Sequence, residues 1–173
     1  MVLSNNNVTF EKIRVIAPED SYNTDGIHLG RSTKIRIVDS IIQTGDDCIS
    51  IGDGNKDIRI DRITCGPGHG ISIGSLGRYK NESPVEGVYV TNSIFKRTSN
   101  GVRIKTFAGS SAYAGAASDL HFCDLIMYDV NNPILVDQEY CPWGQCNLDV
   151  STIVGLPSNS RLKISSKLTV SFI

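Results

Sequence analysis

Two adjacent carboxylates, Asp46 and Asp47, lie at a glycine-marked corner in Thr44-Gly45-Asp46-Asp47-Cys48-Ile49-Ser50-Ile51-Gly52. Paired carboxylates can do general acid and base work when their surroundings push their pKa values apart. A lone Asp-Asp is more often a solvated turn or a cap, because Asp bonds readily to nearby backbone. Here the pair has company at a fixed interval. Asp25, in Asn23-Thr24-Asp25-Gly26, and His69, in Gly66-Pro67-Gly68-His69-Gly70, stand equally far from Asp47, one before it and one after. By itself the first of these segments reads as an Asx-type corner. A somewhat longer step leads on to Asn100. If coils of that length stack in register, all four share one corner column, with neighbours about 4.8 Å apart. Asp25, Asp46, Asp47 and His69 then crowd into one patch, where like charges repel and one carboxyl is held protonated beside ionised ones. Such groups titrate as a set. A patch with that electrostatic cost points to a use.

Basic residues follow. In Gly101-Val102-Arg103-Ile104-Lys105, alternation puts Arg103 and Lys105 on one face and Val102 and Ile104 on the other. Two outward bases on a strand are commonly a solvated face. Beside a cluster of acids they become a site for an anionic ligand, since Arg grips a carboxylate through two parallel bonds. Acids at the centre of a groove with bases beside them suit an acidic polysaccharide.

The elements that must position these residues repeat. The triads Ile27-His28-Leu29, Ile49-Ser50-Ile51, Ile71-Ser72-Ile73, Val102-Arg103-Ile104 and Ile134-Leu135-Val136 recur along the chain, the first three evenly spaced and the last two at a longer interval. A second column, half a turn out of phase, holds Ile35-Arg36-Ile37, Ile58-Arg59-Ile60, Val88-Tyr89-Val90 and Leu120-His121-Phe122. Short β-branched strands at this spacing, with Gly, Asn and Asp corners, predict a solenoid rather than a sandwich. Each strand is too short to bury a core alone, whereas stacked coils bury a continuous one. The expected fold is all-β: a right-handed, single-stranded parallel β-helix of about five visible coils. Period two sets Cys48 and Ser50 on the face opposite Ile49 and Ile51.

One domain over residues 1–173 is the default at this length, and 40% hydrophobic residues suffice for its core. A net charge of -1 gives no sign of a nucleic-acid partner or an anionic membrane. No apolar run approaches the roughly 18 residues of a membrane span. The first residues, Met1 to Asn7, lack the pattern of a signal peptide. Val8-Thr9-Phe10 opens directly into a coil, so N-terminal coils and a cap are expected to be missing.

Five cysteines are an odd number. Cys48 and Cys65 lie less than one repeat apart, so a disulfide between them would staple one coil to the next loop. Cys141-Pro142-Trp143-Gly144-Gln145-Cys146 reads as a small loop closed by a disulfide. Cys123 is left over as a buried thiol in the stack. The spacings do not supply the two close Cys/His pairs of a zinc site, and no metal is expected. Asn7-Val8-Thr9 and Asn81-Glu82-Ser83 are glycosylation sequons. Together these favour an oxidising, secretory setting.

The four segments Asn23-Thr24-Asp25, Gly45-Asp46-Asp47, Gly68-His69-Gly70 and Arg103-Ile104-Lys105 resemble, in order and spacing, the motifs of the polygalacturonases, pectin-hydrolysing glycosidases with a right-handed parallel β-helix. The resemblance runs from about Val8 to Cys146 and leaves a divergent tail, 147–173. The segment from Gly74 to Lys80 and the Cys141–Cys146 loop look like the plant branch, especially its pollen-type exopolygalacturonases. The resemblance implies hydrolysis of α-1,4-galacturonosyl bonds in homogalacturonan with inversion, exo-acting, in cell-wall remodelling. It implies no cofactor, and a secreted, cell-wall protein that is monomeric when full-length. Asp46 would be the general acid, Asp25 and Asp47 would orient and deprotonate water, and His69 would hold the proton network. Arg103 and Lys105 would bind substrate carboxylates, and Tyr140, after Asp137-Gln138-Glu139, would pack against a sugar.

Stereochemistry divides the two lines of inference. Inverting glycosidases hold their carboxyls roughly 6.5–9.5 Å apart and retaining ones roughly 5–5.5 Å. Adjacent coils suggest the shorter gap, so spacing favours retention and resemblance favours inversion. Rival functions are a truncated, inactive pectin-binding β-helix and a hydrolase of a related acidic glycan such as rhamnogalacturonan. A calcium-dependent lyase fits the hydrolase-ordered acids, His and base pair less well. A phosphate loop at Gly66–Gly70 fails because no helix pattern follows it. By coil count, family members would be roughly twice this long. Missing coils would expose a sheet edge, so the chain alone is expected to be poorly soluble or weakly active.

Overall fold

The computed structural model describes residues 1–108, 117–144 and 146, and the backbone of Leu162–Ser171. The remaining residues of the expected divergent tail, 147–161 and 172–173, lie outside the described residues. Every described element is a strand, and every pairing is parallel.

The chain winds through three strand columns. The first column is a six-stranded sheet. It stacks β1 (Val2–Leu3), β4 (Ile27–Gly30), β7 (Asp47–Ile51), β10 (Gly70–Leu76), β13 (Asn100–Phe107) and β15 (Asn132–Tyr140). The second holds β2 (Asn6–Glu11), β5 (Thr33–Val38), β8 (Lys56–Asp61) and β11 (Val85–Thr91). The third holds β3 (Arg14–Ile16), β6 (Ile41–Gln43), β9 (Thr64–Cys65) and β12 (Ile94–Lys96). A single long strand, β14 (Ala117–Tyr128), pairs with β11 by its first half and β12 by its second, joining the second and third columns into one sheet. The backbone of β16 (Leu162–Ser171) continues that stack against β14.

The register follows the sequence columns. Ile27 pairs with Ile49, Ile49 with Ile71, Ile71 with Val102, and Val102 with Ile134. Ile35, Ile58, Val88 and Leu120 form the matching line in the second column. All of these except the half-buried Ile134, together with Phe95 and Phe122, belong to one continuous core. The corners are polar but satisfied: buried Ser32, Ser40 and Ser93 each accept a backbone N–H from the coil before. Turns between the second and third columns use one left-handed residue per coil: Lys12, Asp39, Arg62, Asn92 and Asp124.

One expectation fails at the site. Strict alternation would place Cys48 on the outer face with Ser50, yet Cys48 is fully buried in the core and bonded to Cys65. The register between β7 and β10 shifts at this point: Gly70 faces Asp47, while Ile71 faces Ile49. The extra residue is a β-bulge, which re-aims the side chains before it. Asp47 thereby joins Ser50 on the outer face, although period two would set the two on opposite faces. Both expected disulfides form, Cys48–Cys65 and Cys141–Cys146. Cys123 is free and only half-buried, on the strand face away from the core residue Phe122.

Candidate active site

The outer face of the first sheet gathers the four motifs. Asp25 precedes β4, Asp46 precedes and Asp47 opens β7, His69 precedes β10, and Arg103 and Lys105 lie on β13. Gly45 is needed for a reason other than the one its type suggests. Its backbone is not left-handed; a Cβ there would lie 2.4 Å from the Ser21 carbonyl oxygen, so the corner simply has no room. Gly68 needs both: its φ is +135°, and a Cβ would lie 2.5 Å from the Asp46 carbonyl oxygen.

That close approach stacks His69 over Asp46. The His69 backbone N–H donates to the Asp46 carbonyl at 2.8 Å, and His69 Nδ1 lies 2.8 Å from Asp46 Oδ1. The column expected from spacing set His69 over Asp47; the bulge moves it one residue, onto Asp46. The corner column continues above as an amide ladder, in which Asn100 donates to the His69 carbonyl and Asn132 to Asn100 Oδ1.

Each carboxylate has distinct surroundings. Asp47 is almost fully buried. It accepts from Ser72 Oγ at 2.6 Å, Lys105 Nζ at 3.0 Å and Arg103 Nη2 at 3.4 Å. The two bases therefore turn toward an acid of the chain itself, and Lys105 is buried at 6% exposure. Asp46 accepts from the Asp47 N–H at 2.8 Å as well as facing His69. The His69 bond holds Asp46 below the usual carboxylate range despite partial burial, and the same bond raises His69. Asp25 goes the other way: burial lifts its pKa, aided by the charges of Asp47 and Asp46 and opposed by a bond from Ser50.

Asp46, Asp47 and His69 each offer a ligand atom within 4.8 Å of one another, a spacing that could take a cation. Lys105, Arg103 and the imidazole already face those carboxylates. Tyr140 stands across the face, its ring centroid 5.3 Å from Lys105 Nζ and 6.0 Å from Arg103 Cζ. Burial pushes its hydroxyl up, so it remains a donor.

Three residues not singled out in the sequence extend this shelf. Phe107 meets Tyr140 edge-on at 5.5 Å and Trp143 in a stack at 6.0 Å, and Arg78 lies 4.8 Å from the Trp143 ring. A lone Trp inside a disulfide-closed loop was the available signal for it. On the other flank, a groove of about 450 Å³ opens beside His69, lined among others by Tyr22, Arg97 and Asn131. The sequon residues Asn7 and Asn81 are both exposed.

The pattern of glycosyl hydrolases family 28 matches residues 1–157. A polygalacturonase from Gossypium barbadense is 53% identical over 154 residues, covering 89% of this chain and 37% of its own length. An exopolygalacturonase from Oenothera organensis is 52% identical over 168 residues, covering 97% of this chain and 46% of its own length. The chain thus spans less than half the length of these relatives. Among solved structures, an endo-xylogalacturonan hydrolase from Aspergillus tubingensis superposes with a TM-score of 0.61 at 26% identity, covering 78% of this chain and 37% of that one.

Proposed function

This chain belongs to glycosyl hydrolases family 28, and from that premise we propose that it hydrolyses α-1,4-galacturonosyl bonds of homogalacturonan. The observation that carries the proposal is the convergence of three carboxylates, one imidazole and two bases on a single outer sheet face. A polygalacturonate chain lying across that face would meet cations and an aromatic shelf beside the acids. Arg103 and Lys105 would exchange part of their contact with Asp47 for a substrate carboxylate, and Tyr140, with Trp143 and Arg78 beyond it, would carry a sugar ring.

Asp46 is assigned as the acid that protonates the glycosidic oxygen. A lone acid would need a raised pKa, whereas His69 lowers that of Asp46. The acid is better described as the pair. His69 keeps its proton to higher pH than an ordinary imidazole, 2.8 Å from Asp46. The imidazolium passes its one proton across that hydrogen bond to Asp46, which hands it to the leaving oxygen, so the pair ends as neutral His69 and ionised Asp46. Asp25 and Asp47 orient the attacking water, and Asp25, with its upward-shifted pKa, takes its proton.

Exo action is favoured by two relatives named exopolygalacturonases, from Oenothera organensis and Platanus acerifolia. Secretion into the cell wall fits the two disulfides and exposed sequons. The test is reducing-sugar release from polygalacturonate, with product sizing, by the chain and its Asp46→Asn variant. Release of monomer by the wild type and its loss in the variant is the expected result. Mixed oligomers would replace exo with endo action, and no release from folded wild type would leave a binding protein. Early proton NMR of the product should show the β-anomer, the mark of inversion; the α-anomer would instead follow the short carboxylate gap.

A further inference from the structure

The hydroxyl of Ser50 lies between two partners. Its Oγ is 2.5 Å from Asp25 Oδ2 and 2.7 Å from His28 Nδ1. A serine hydroxyl has one proton to give. If that proton goes to the carboxylate, the oxygen must accept from the imidazole, so His28 carries its proton on Nδ1. Ser50 is buried, and His28 faces it directly in the register of β4 and β7. One coil on, Ser72 donates to Asp47 Oδ1 at 2.6 Å, and its other neighbour is Arg103 Nε at 3.4 Å. The same serine device serves two carboxylates. Its far end is a guanidinium at Asp47 and an imidazole at Asp25.

We propose that His28 is a positioning residue for Asp25, acting through Ser50 to fix the direction of the hydroxyl that holds Asp25 Oδ2. This rests on Asp25 taking the proton of the attacking water. A protonated Asp25 cannot do so, and burial together with the charges of Asp46 and Asp47 pushes it toward protonation. Ser50 opposes that only while it donates. A free hydroxyl would turn and accept the proton of a neutral Asp25 equally well. An imidazole N–H aimed at Ser50 Oγ closes that option and leaves Oδ1 of Asp25 for water.

The variants His28→Phe, His28→Asn and Ser50→Ala test this in the full chain. Asn returns an amide N–H near the place of Nδ1, whereas Phe keeps only the ring. His28→Phe should lower kcat on polygalacturonate roughly tenfold with KM nearly unchanged. It should also move the acid limb of the pH–rate profile upward, with Asp46 and Asp47 still facing Asp25. His28→Asn should recover most of kcat, and His28→Phe should add little in a Ser50→Ala background. Equal losses in the Phe and Asn variants, or a change confined to KM, would overturn the proposal. A second readout needs no turnover. Nitrogen-15 NMR of the neutral His28 ring should show the proton on Nδ1, and a ring protonated on Nε2 would sink the proposal by itself. Should the wild type fail to hydrolyse polygalacturonate, the hydrolase assignment falls, and the tautomer alone then decides the role of His28.

Discussion

At the scale of single residues, the three acids differ because their neighbours differ. Asp25 is the one whose ionisation the fold disfavours: its pKa is raised above 3.8 by burial and by Asp47 and Asp46. A raised folded-state value means that the ionised form costs stability, and that cost appears as pH rises past 3.8 and is complete above the shifted value. Asp25→Asn should therefore abolish turnover while making the fold more stable at neutral pH, by about 1 kcal/mol. Urea unfolding at pH 4 and pH 7 checks this; a variant less stable at pH 7 would refute it. His69 and Asp46 behave oppositely. The stabilisation from Asp46 is present above 3.8 and lost as pH falls through its lowered value. That from His69 is present below 6.5 and lost as pH rises through its raised value. The melting-temperature gap between wild type and His69→Ala should be widest between those limits and shrink on both sides. Since His69 is half-exposed, the stability difference behind that gap should not exceed about 1 kcal/mol. A gap that stays constant across the whole pH range would mean that the imidazole stabilises by packing, not by charge.

At the scale of elements, the site depends on the corner between the third and first columns. The sequence made much of that corner readable, because Asp25, Asp47 and His69 recur at the coil length. What it could not reveal was the bulge. Period two assigns Cys48 outward, and only the disulfide to Cys65 and the shifted pairing of Gly70 with Asp47 turn it inward. The consequence is chemical: Asp47 faces Lys105, and His69 faces Asp46. Gly68 holds the geometry, since its left-handed backbone lies so close to the Asp46 carbonyl that a side chain has no room. Gly68→Ala should cost about 1–3 kcal/mol in denaturant unfolding. It should also lower kcat far more than Gly144→Ala, whose added carbon meets nothing within 4 Å. Equal effects on kcat at the two positions would show that the corner has slack. Other turns were illegible for a different reason. Lys12 and Arg62 take left-handed conformations that their types do not announce, equivalent to Asp39, Asn92 and Asp124 in neighbouring coils. Stacking on the next coil imposes the turn whatever the residue.

At the scale of the whole molecule, the coil register was readable because one face of every strand is buried, and a one-residue slip would put isoleucines in water. The position of the bases was also readable, but their partners were not. Arg103 and Lys105 reach Asp47 from two coils away, a contact set by side-chain length and depth. That contact bears on how a polyanion is held. The chain's net charge is -1, so no general attraction draws in polygalacturonate. On the proposed function, binding would come from a local field of Arg78, Arg103, Lys105 and His69, concentrated over one sheet face. Local fields between exposed groups and ligand are screened within about 8–10 Å at physiological salt. Raising sodium chloride from about 20 to about 200 mM should therefore raise KM for polygalacturonate several-fold. The buried Lys105–Asp47 contact is shielded from solvent, and kcat should hold constant over the same range. Initial-rate kinetics across that series distinguish the two parameters. A falling kcat with constant KM would place the salt-sensitive step at the acids instead of at the bases, and would reverse the division of labour between the two sides of the face.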